Sequence, residues 1–126
     1  MTPCSTLRIP TGCRMKRGEI YYADLSPTVG PEINKRRPVL IVSNDANNRA
    51  AGTVTVLPIT SNVSRVFPFE VLVKSKQSGL PRDSKVLAQQ IRTVAKARIM
   101  PAKAGQLDAT LMRAVDAAIK LHLALA

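Results

Sequence analysis

The alternation of hydrophobic and polar positions along the chain predicts a small domain built mainly from β-strands. Five runs rich in β-branched, aromatic or apolar residues predict strands, at residues 19–25, 38–43, 53–60, 67–73 and 85–94. Pro58 lies within the third run, and because proline removes a ladder donor we expect that end at a sheet edge or a bulge. Polar stretches rich in turn-forming residues predict loops at residues 28–36, 44–52 and 74–83.

The hydrophobic period changes near the C-terminus from two residues to about four. Apolar residues recur at Leu107, Leu111, Val115, Ile119 and Leu123. This spacing predicts an amphipathic helix that begins near Asp108 and covers an apolar surface. The elements together predict a small β-barrel of about five or six strands with helices added.

The first 14 residues show no hydrophobic period, so we expect a disordered extension ahead of one domain over residues 15–126, with Met15 as an alternative start. The extension lacks the apolar segment of a secretory signal, and no run in the chain approaches a membrane span. It carries Cys4 and Cys13 without a nearby histidine, and two thiols do not complete a structural zinc site. A cytoplasmic location in a reducing compartment is therefore expected.

The charge of the chain narrows the range of partners. There are 19 Lys and Arg residues against 8 Asp and Glu, a net charge of +11. Positive side chains in such excess repel one another unless the protein normally binds an anionic partner. Nucleic acid is the default candidate, because phosphate contacts dominate non-specific affinity. A membrane surface is a weaker candidate, since the basic residues do not line one amphipathic helix. The third interpretation is that the excess of basic residues serves only to keep the protein soluble.

Several catalytic classes are excluded by what the sequence lacks. His122 is the only histidine, so a two-histidine mechanism is impossible, and we expect it to be a packed or half-exposed helix residue. The acidic residues are too few and scattered to predict a metal site, and no glycine-rich phosphate-binding motif predicts a nucleotide cofactor. With two Tyr, two Phe and no Trp, a broad base-stacking sheet is also not expected.

The remaining candidate chemistry rests on arginine and hydroxyl groups. Pro38 holds Arg37 in an extended conformation at the start of a strand, where a guanidinium can bind a phosphate with two donors. Thr60 and Ser61 end another strand, and their hydroxyls suit the same phosphate. Such groups can cleave RNA when its own 2′-OH is the nucleophile. Arginine is a poor proton acceptor, which leaves the general base open. Taken singly, each residue is more often a solvated loop end or a strand former.

Five sequence motifs occur in an order that points to a known family. They are residues 16–27 (KRGEIYYADLSP), 30–44 (GPEINKRRPVLIVSN), 56–61 (VLPITS), 67–71 (FPFEV) and 90–93 (QIRT). Together they resemble the MazF/PemK family of toxin endoribonucleases, over nearly all of the chain beyond the extension. Five ordered motifs are far more specific than any one of them.

The resemblance implies an SH3-like barrel of the CcdB/PemK type and a homodimer with an RNA groove across both subunits. It implies a toxin of a type II toxin–antitoxin pair that cleaves single-stranded RNA at a short motif without metal or cofactor, leaving a 2′,3′-cyclic phosphate and a 5′-hydroxyl. By motif, Arg37 would be the catalytic arginine and Thr60 its hydroxyl partner. The residues that would line the RNA groove are Glu32, Lys35, Arg36, Ser61, Gln90 and Arg92. Glu32 would either accept from a base edge or position Arg37.

The resemblance and the charge together predict an acidic antitoxin, disordered until it folds onto the basic groove and blocks RNA. Two other functions stay open. One is a gyrase-directed poison on the same fold, which binds protein and cleaves nothing, and the other is a non-catalytic nucleic-acid-binding SH3-like module. Arg37 and Thr60 together favour the enzyme, because a binding module does not need that pair.

Overall fold

A computed structural model describes residues 15–32 and 35–125 of the chain. Its strands are β1 (Glu19–Asp24), β2 (Arg36–Ile41), β3 (Thr53–Thr60), β4 (Glu70–Val73), β5 (Ser84–Leu87), β6 (Arg92–Ala95) and β7 (Ile99–Gln106). Its helices are α1 (Asp45–Ala50), α2 (Ser75–Ser78) and α3 (Ala109–Leu123), with 3-10 turns at Ala88–Gln90 and Lys96–Arg98. The predicted disordered extension, residues 1–14, lies outside the described residues and stays a prediction.

The seven strands pair antiparallel in the order β4-β5-β3-β2-β1-β7, with β6 also on β3. The predicted mainly β fold with short helices and a C-terminal helix is confirmed. Among the described residues the strand order runs from β4 to β7 as an open path, so the sheet curls without closing into a full barrel. The start of β2, the end of β3 and the start of β5 all lie at one end of this sheet, because neighbouring strands are antiparallel.

Pro58 lies inside the sheet, so of its two predicted placements, a sheet edge or a bulge, the edge is wrong. On one side it pairs with Val39 of β2. On the other side β3 changes partner around it, since Val56 pairs with Arg92 of β6 and Ile59 pairs with Val86 of β5. Pro58 itself has no paired residue in β5 or β6, and a proline is tolerated within a sheet where the ladder is interrupted in this way.

Two hydrophobic clusters lie on the faces of the sheet. The cluster beneath α3 includes Ile20, Leu40, Leu57, Ile59, Val86, Met112 and Val115. The other includes Met15, Tyr21, Val39, Ile41, Val54, Val94 and Ile99. The strands thus supply side chains to both faces, as the period-two pattern predicts. The predicted C-terminal helix is confirmed, and Asp108 caps it by accepting from the backbone N–H of Leu111 at 2.9 Å. No helix in the described ranges has the length and apolarity to cross a membrane.

Three local predictions are wrong. The loop predicted at residues 44–52 contains α1 (Asp45–Ala50), which Asn44 caps by accepting from the N–H of Asn47 at 2.8 Å. Residues 85–94 are two strands separated by the 3-10 turn Ala88–Gln90, and the loop predicted at residues 74–83 contains α2. The strand β7 was missed, since its sequence IMPAKAGQ carries proline, glycine and lysine and lacks the usual strand composition.

The strand β7 packs closely against α2 at Gly105. A Cβ atom at Gly105 would lie 2.0 Å from the carbonyl oxygen of Ser78, so only glycine fits. This contact fixes α2, and with it the following segment in which Leu80 is buried. That segment forms one wall of the site described next.

Candidate phosphate-binding and base-binding site

A cleft of about 190 Å³ opens at the sheet end where β2 starts and β3 ends. We call it the Arg37 cleft, and its lining residues are Tyr22, Arg37, Pro38, Ile59, Ser61, Leu80, Pro81, Arg82 and Ser84. The lining includes two guanidinium groups and no carboxylate. A concave surface with this balance is suited to a phosphate.

Arg37 reaches this cleft because of its position in β2. Its backbone pairs with Ala23 of β1, and two residues later Val39 pairs with Pro58 of β3. Arg37 therefore lies at the same end of the β2–β3 ladder as Thr60 and Ser61. The side chain is half-buried, which restricts its directions more than those of a fully solvated arginine.

Thr60 and Ser61 differ in how they meet the Arg37 cleft. Ser61 is exposed and lines the cleft, whereas Thr60 does not. Thr60 pairs with Lys85 of β5, and its Oγ1 accepts from the backbone N–H of Asn62 at 3.2 Å. The Thr60 oxygen is thus held at the rim, while its own proton has no acceptor within the described parts of the chain.

A second cleft, of about 360 Å³, contains three more of the predicted RNA-binding residues. We call it the Arg92 cleft, and its lining residues are Pro27, Thr28, Val29, Glu32, Gln89, Gln90, Ile91 and Arg92. The structure therefore brings Glu32, Gln90 and Arg92 together, and places Glu32 in a different cleft from Arg37. Lys35 and Arg36 are exposed and line neither cleft.

The β1–β2 loop between the two clefts is tied down at its base. Arg92 Nη1 donates to the carbonyl of Leu25 at 3.3 Å, and Arg98 Nη1 donates to the carbonyls of Asp24 and Ser26. Lys35 closes the loop through its backbone, which donates to Ser26 Oγ at 2.9 Å and accepts from Leu25 at 3.0 Å. Lys35 has φ of 66°, a left-handed conformation that costs a non-glycine residue free energy.

Glu32 is held within this loop by its neighbour Val29. The backbone N–H of Val29 donates to Glu32 Oε1 at 2.6 Å, and the N–H of Glu32 donates to the Val29 carbonyl at 3.3 Å. One carboxylate oxygen is therefore engaged locally. The other oxygen has no donor among the described residues and borders the Arg92 cleft.

Behind both clefts lies a buried polar cluster centred on Glu70. Lys85 Nζ donates to Glu70 Oε1 at 2.9 Å and to the carbonyl of Arg65 at 2.5 Å, and Gln89 Nε2 donates to Glu70 Oε2 at 2.6 Å. Burial alone would raise the pKa of Glu70, but the hydrogen bonds from Phe67, Lys85 and Gln89 outweigh it and the pKa is lowered. The cluster joins the loop after Thr60 to the turn that carries Gln90.

Three residues of the Arg37 cleft carry only weak signals in the sequence. Tyr22 falls within the predicted strand at residues 19–25, and Arg82 within the predicted loop at residues 74–83. Ser84 is buried and lies at the start of β5, where a serine carries no recognisable pattern.

Metal ligands were not predicted, and within residues 15–32 and 35–125 no three His, Cys, Asp or Glu side chains cluster.

The fold and the two clefts define a small basic β protein with a surface suited to a phosphodiester chain. Comparison with known families makes the assignment specific, because residues 16–123 match the model of the PemK-like, MazF-like toxins of type II toxin–antitoxin systems. The chain belongs to this family.

Individual relatives agree with the family match. The chain is 43% identical to endoribonuclease MazF9 of Mycobacterium tuberculosis over 86% of this chain and 96% of the relative. It is 43% identical to endoribonuclease EndoA of Bacillus subtilis, over 88% of this chain and 96% of the relative. Among solved structures, a mycobacterial endoribonuclease in complex with its cognate antitoxin is 27% identical, with a TM-score of 0.72 over 89% of this chain and 97% of that one.

Proposed function

We propose that the protein is a sequence-specific, metal-independent endoribonuclease that acts as the toxin of its pair on single-stranded RNA in the bacterial cytoplasm. The observation that carries this is the Arg37 cleft, where Arg37 and Ser61 line one concave surface beside Thr60 and no carboxylate repels a phosphate. The two 43% identical relatives named endoribonucleases support the reaction class.

The chemistry that suits this cleft is an internal attack by the ribose. The 2′-oxygen bonds to phosphorus, the bond from phosphorus to the 5′-oxygen breaks, and the products are a 2′,3′-cyclic phosphate and a 5′-hydroxyl. A base removes the 2′-OH proton, and the departing 5′-oxygen gains one. Arg37 donates to the non-bridging oxygens, whose negative charge is largest in the phosphorane. Electrostatic stabilisation of this kind needs no metal ion.

Thr60 is assigned the role of hydroxyl donor to the same phosphate. The N–H of Asn62 donates to its oxygen at 3.2 Å, which leaves the Thr60 proton available to a phosphate oxygen. Ser61, already in the lining, is a second donor. Fixed donors lower the barrier because they need no reorganisation when the charge develops.

The Arg92 cleft is assigned to base recognition. Glu32 has one carboxylate oxygen without a donor among the described residues, and Gln90 and Arg92 add an amide and a guanidinium to the same lining. Acceptors and donors held on a fixed loop can read the edges of unstacked bases, which is how sequence is recognised in single-stranded RNA. Lys35 and Arg36, both exposed, add attraction for the backbone.

A homodimer and an acidic antitoxin complete the proposal. Leu121, Leu123 and Leu125 are 57%, 45% and 57% exposed at the end of α3, an apolar surface of the kind that a second subunit covers. The net charge of +11 favours an acidic partner. The mycobacterial relative solved with its cognate antitoxin supports such a partner.

The test is to incubate purified protein with a long RNA in excess EDTA and to determine the chemistry of the ends. We expect discrete fragments with 5′-hydroxyl and 2′,3′-cyclic phosphate ends. An oligonucleotide with 2′-deoxyribose at the mapped cut site should stay intact. Cleavage that requires a divalent cation, or that proceeds at the deoxy linkage, would overturn the mechanism. Intact RNA combined with inhibition of gyrase would instead identify a gyrase poison.

A further inference from the structure

The second guanidinium of the Arg37 cleft belongs to Arg82, in the segment between α2 and β5. In the sheet order, β3 lies between β2 and β5. The start of β2, with Arg37, and the segment leading into β5, with Arg82, therefore flank the end of β3 from opposite sides. An anion bound in the cleft would therefore have Arg37 on one side and Arg82 on the other.

The backbone of Arg82 is held by its neighbours. The buried Ser84 donates from Oγ to the carbonyl of Arg82 at 3.0 Å. On the other side Leu80 is buried, and its N–H donates to Ser78 Oγ at 3.1 Å. A side chain that starts from a fixed backbone loses less conformational entropy when it binds a ligand.

The charge of Arg82 is not neutralised by the adjacent carboxylate. Asp83 accepts from the backbone N–H of Ser75 at 2.8 Å and forms an ion pair with Lys74 at 3.5 Å. Within the described parts of the chain, the Arg82 guanidinium has neither a hydrogen-bond acceptor nor an ionic partner. An unneutralised cation that lines the same small cleft as a second arginine favours the entry of an anion.

We propose that Arg82 is a substrate-binding residue that donates to the same RNA phosphate as Arg37, from the opposite wall of the cleft. This inference rests on the proposed function and adds a residue to it. Arg37 and Arg82 then bracket the phosphate, while Ser61 at the end of β3 contributes a hydroxyl between them. A guanidinium is suited to this role because it presents paired donors to phosphate oxygens.

The test measures how RNA binding depends on salt. A short RNA containing the mapped cleavage site, with 2′-deoxyribose at the cut to prevent turnover, is titrated by fluorescence anisotropy at several salt concentrations. Loss of one phosphate contact should reduce the slope of log Kd against log salt by about 0.7. We expect this change in R82A together with affinity weaker by about 10- to 100-fold. R82K should keep the slope, because the charge is retained.

The matched control is R49A, which removes the same charge from α1. Helix α1 precedes the start of β3, and the eight residues of β3 place it roughly 23 Å from the Arg37 cleft. R49A should keep the wild-type slope. A slope in R82A equal to that of R49A would overturn the role of Arg82.

A second measurement identifies the phosphate itself. Replacing single phosphates by uncharged methylphosphonates should weaken wild-type binding most at the phosphate held by Arg37 and Arg82. In R82A the same replacement should weaken binding less, because that phosphate has already lost one of its two arginine partners. Full additivity at every phosphate would overturn the proposal. Failure of the wild-type protein to cleave any RNA would count against the proposed function alone. In that case no cut site is mapped, and the same salt series with a single-stranded RNA of mixed sequence still tests whether R82A lowers the slope while R49A does not.

Discussion

The carboxylate of Glu70 and the ammonium group of Lys85 form an ion pair 2.9 Å apart, in which the two side chains are only 2% and 12% exposed. The pair joins β4 to β5, and its remaining hydrogen bonds reach the loop after Thr60 and the turn before Gln90. A buried pair is costly to form but much more costly to break on one side. Its position behind both clefts makes it a positional support for the site.

Removing one partner of this pair should destabilise the fold severely. We expect Glu70→Ala to lower the free energy of unfolding by about 3–5 kcal/mol, because Lys85 is left buried and uncompensated. Urea denaturation followed by circular dichroism measures this. The double variant Glu70→Leu with Lys85→Met should regain most of the loss, since it removes both charges. A loss below about 1 kcal/mol in Glu70→Ala would contradict the buried pair.

The stability of the protein should fall with acid in part through Glu70. The hydrogen bonds to its carboxylate lower the pKa in the folded state, so Glu70 stabilises the fold at pH values above its unfolded pKa, about 4.3. This contribution should disappear as the pH falls below that value and through the folded pKa. Urea midpoints between pH 3 and pH 7 test it. The variant Glu70→Gln should show a shallower acid limb, and an unchanged limb would count against the assignment.

The close contact at Gly105 predicts a strong effect of one methyl group. Gly105→Ala would place its Cβ 2.0 Å from the Ser78 carbonyl oxygen, so β7 and α2 must separate. We expect a loss of about 3 kcal/mol in unfolding free energy. Gly52→Ala is the matched control, because no atom lies within 4 Å of its Cβ, and it should change stability by less than about 0.5 kcal/mol. Equal effects in both variants would refute the steric explanation.

Arg37 should be indispensable for cleavage. We expect Arg37→Ala to reduce the single-turnover rate by at least about 10²–10³-fold, because a fixed donor to the developing charge is lost. Circular dichroism and gel filtration should show that its fold and assembly are unchanged. Thr60→Ala should also slow cleavage, and Thr60→Ser should recover part of the rate. A tenfold loss in Arg37→Ala with no effect of Thr60→Ala would reject the assignment of both residues.

The Arg92 cleft should determine which sequence is cut. We expect Gln90→Ala to change the set of cleavage sites on a long RNA while leaving the rate at its best site within about tenfold, because loss of one base contact costs about 1–3 kcal/mol of discrimination. Mapping 5′-hydroxyl ends across one transcript measures the change. An unaltered set of sites with a uniformly lower rate would show that Gln90 does not read bases.

The fold was predictable where the hydrophobic pattern was local and regular. The run at Thr53–Thr60 and the four-residue period ending in α3 predicted nearly correct elements, since burial sets both patterns: α3 buries one face, and β3 contributes side chains to both clusters. The strand β7 was not predictable, because its backbone pairs with β1 while its side chains at Pro101 and Lys103 remain exposed. Pairing of that kind depends on a partner some eighty residues away and leaves little trace in composition.

The site was predictable only as far as the motifs reached. Arg37 and Ser61 share a cleft, and Glu32, Gln90 and Arg92 share another. The motifs instead grouped Arg37 with Thr60 and placed Ser61 with the residues of the RNA groove. The division into two clefts was not predictable, because it depends on how the β1–β2 loop is tied at its base. Arg82 was not predicted as a site residue either. A cation in a polar loop can be assigned to a binding site only when the fold places it opposite a second cation.

The pairing of β1 bears on when the protein can act during its own synthesis. β1 lies between β2 and β7, and Glu19 pairs with Gln106. The wall that carries Arg82 follows α2, and α2 packs against Gly105 of β7. A nascent chain therefore cannot finish the cleft until residue 106 has left the ribosome, when only the last helix remains to follow.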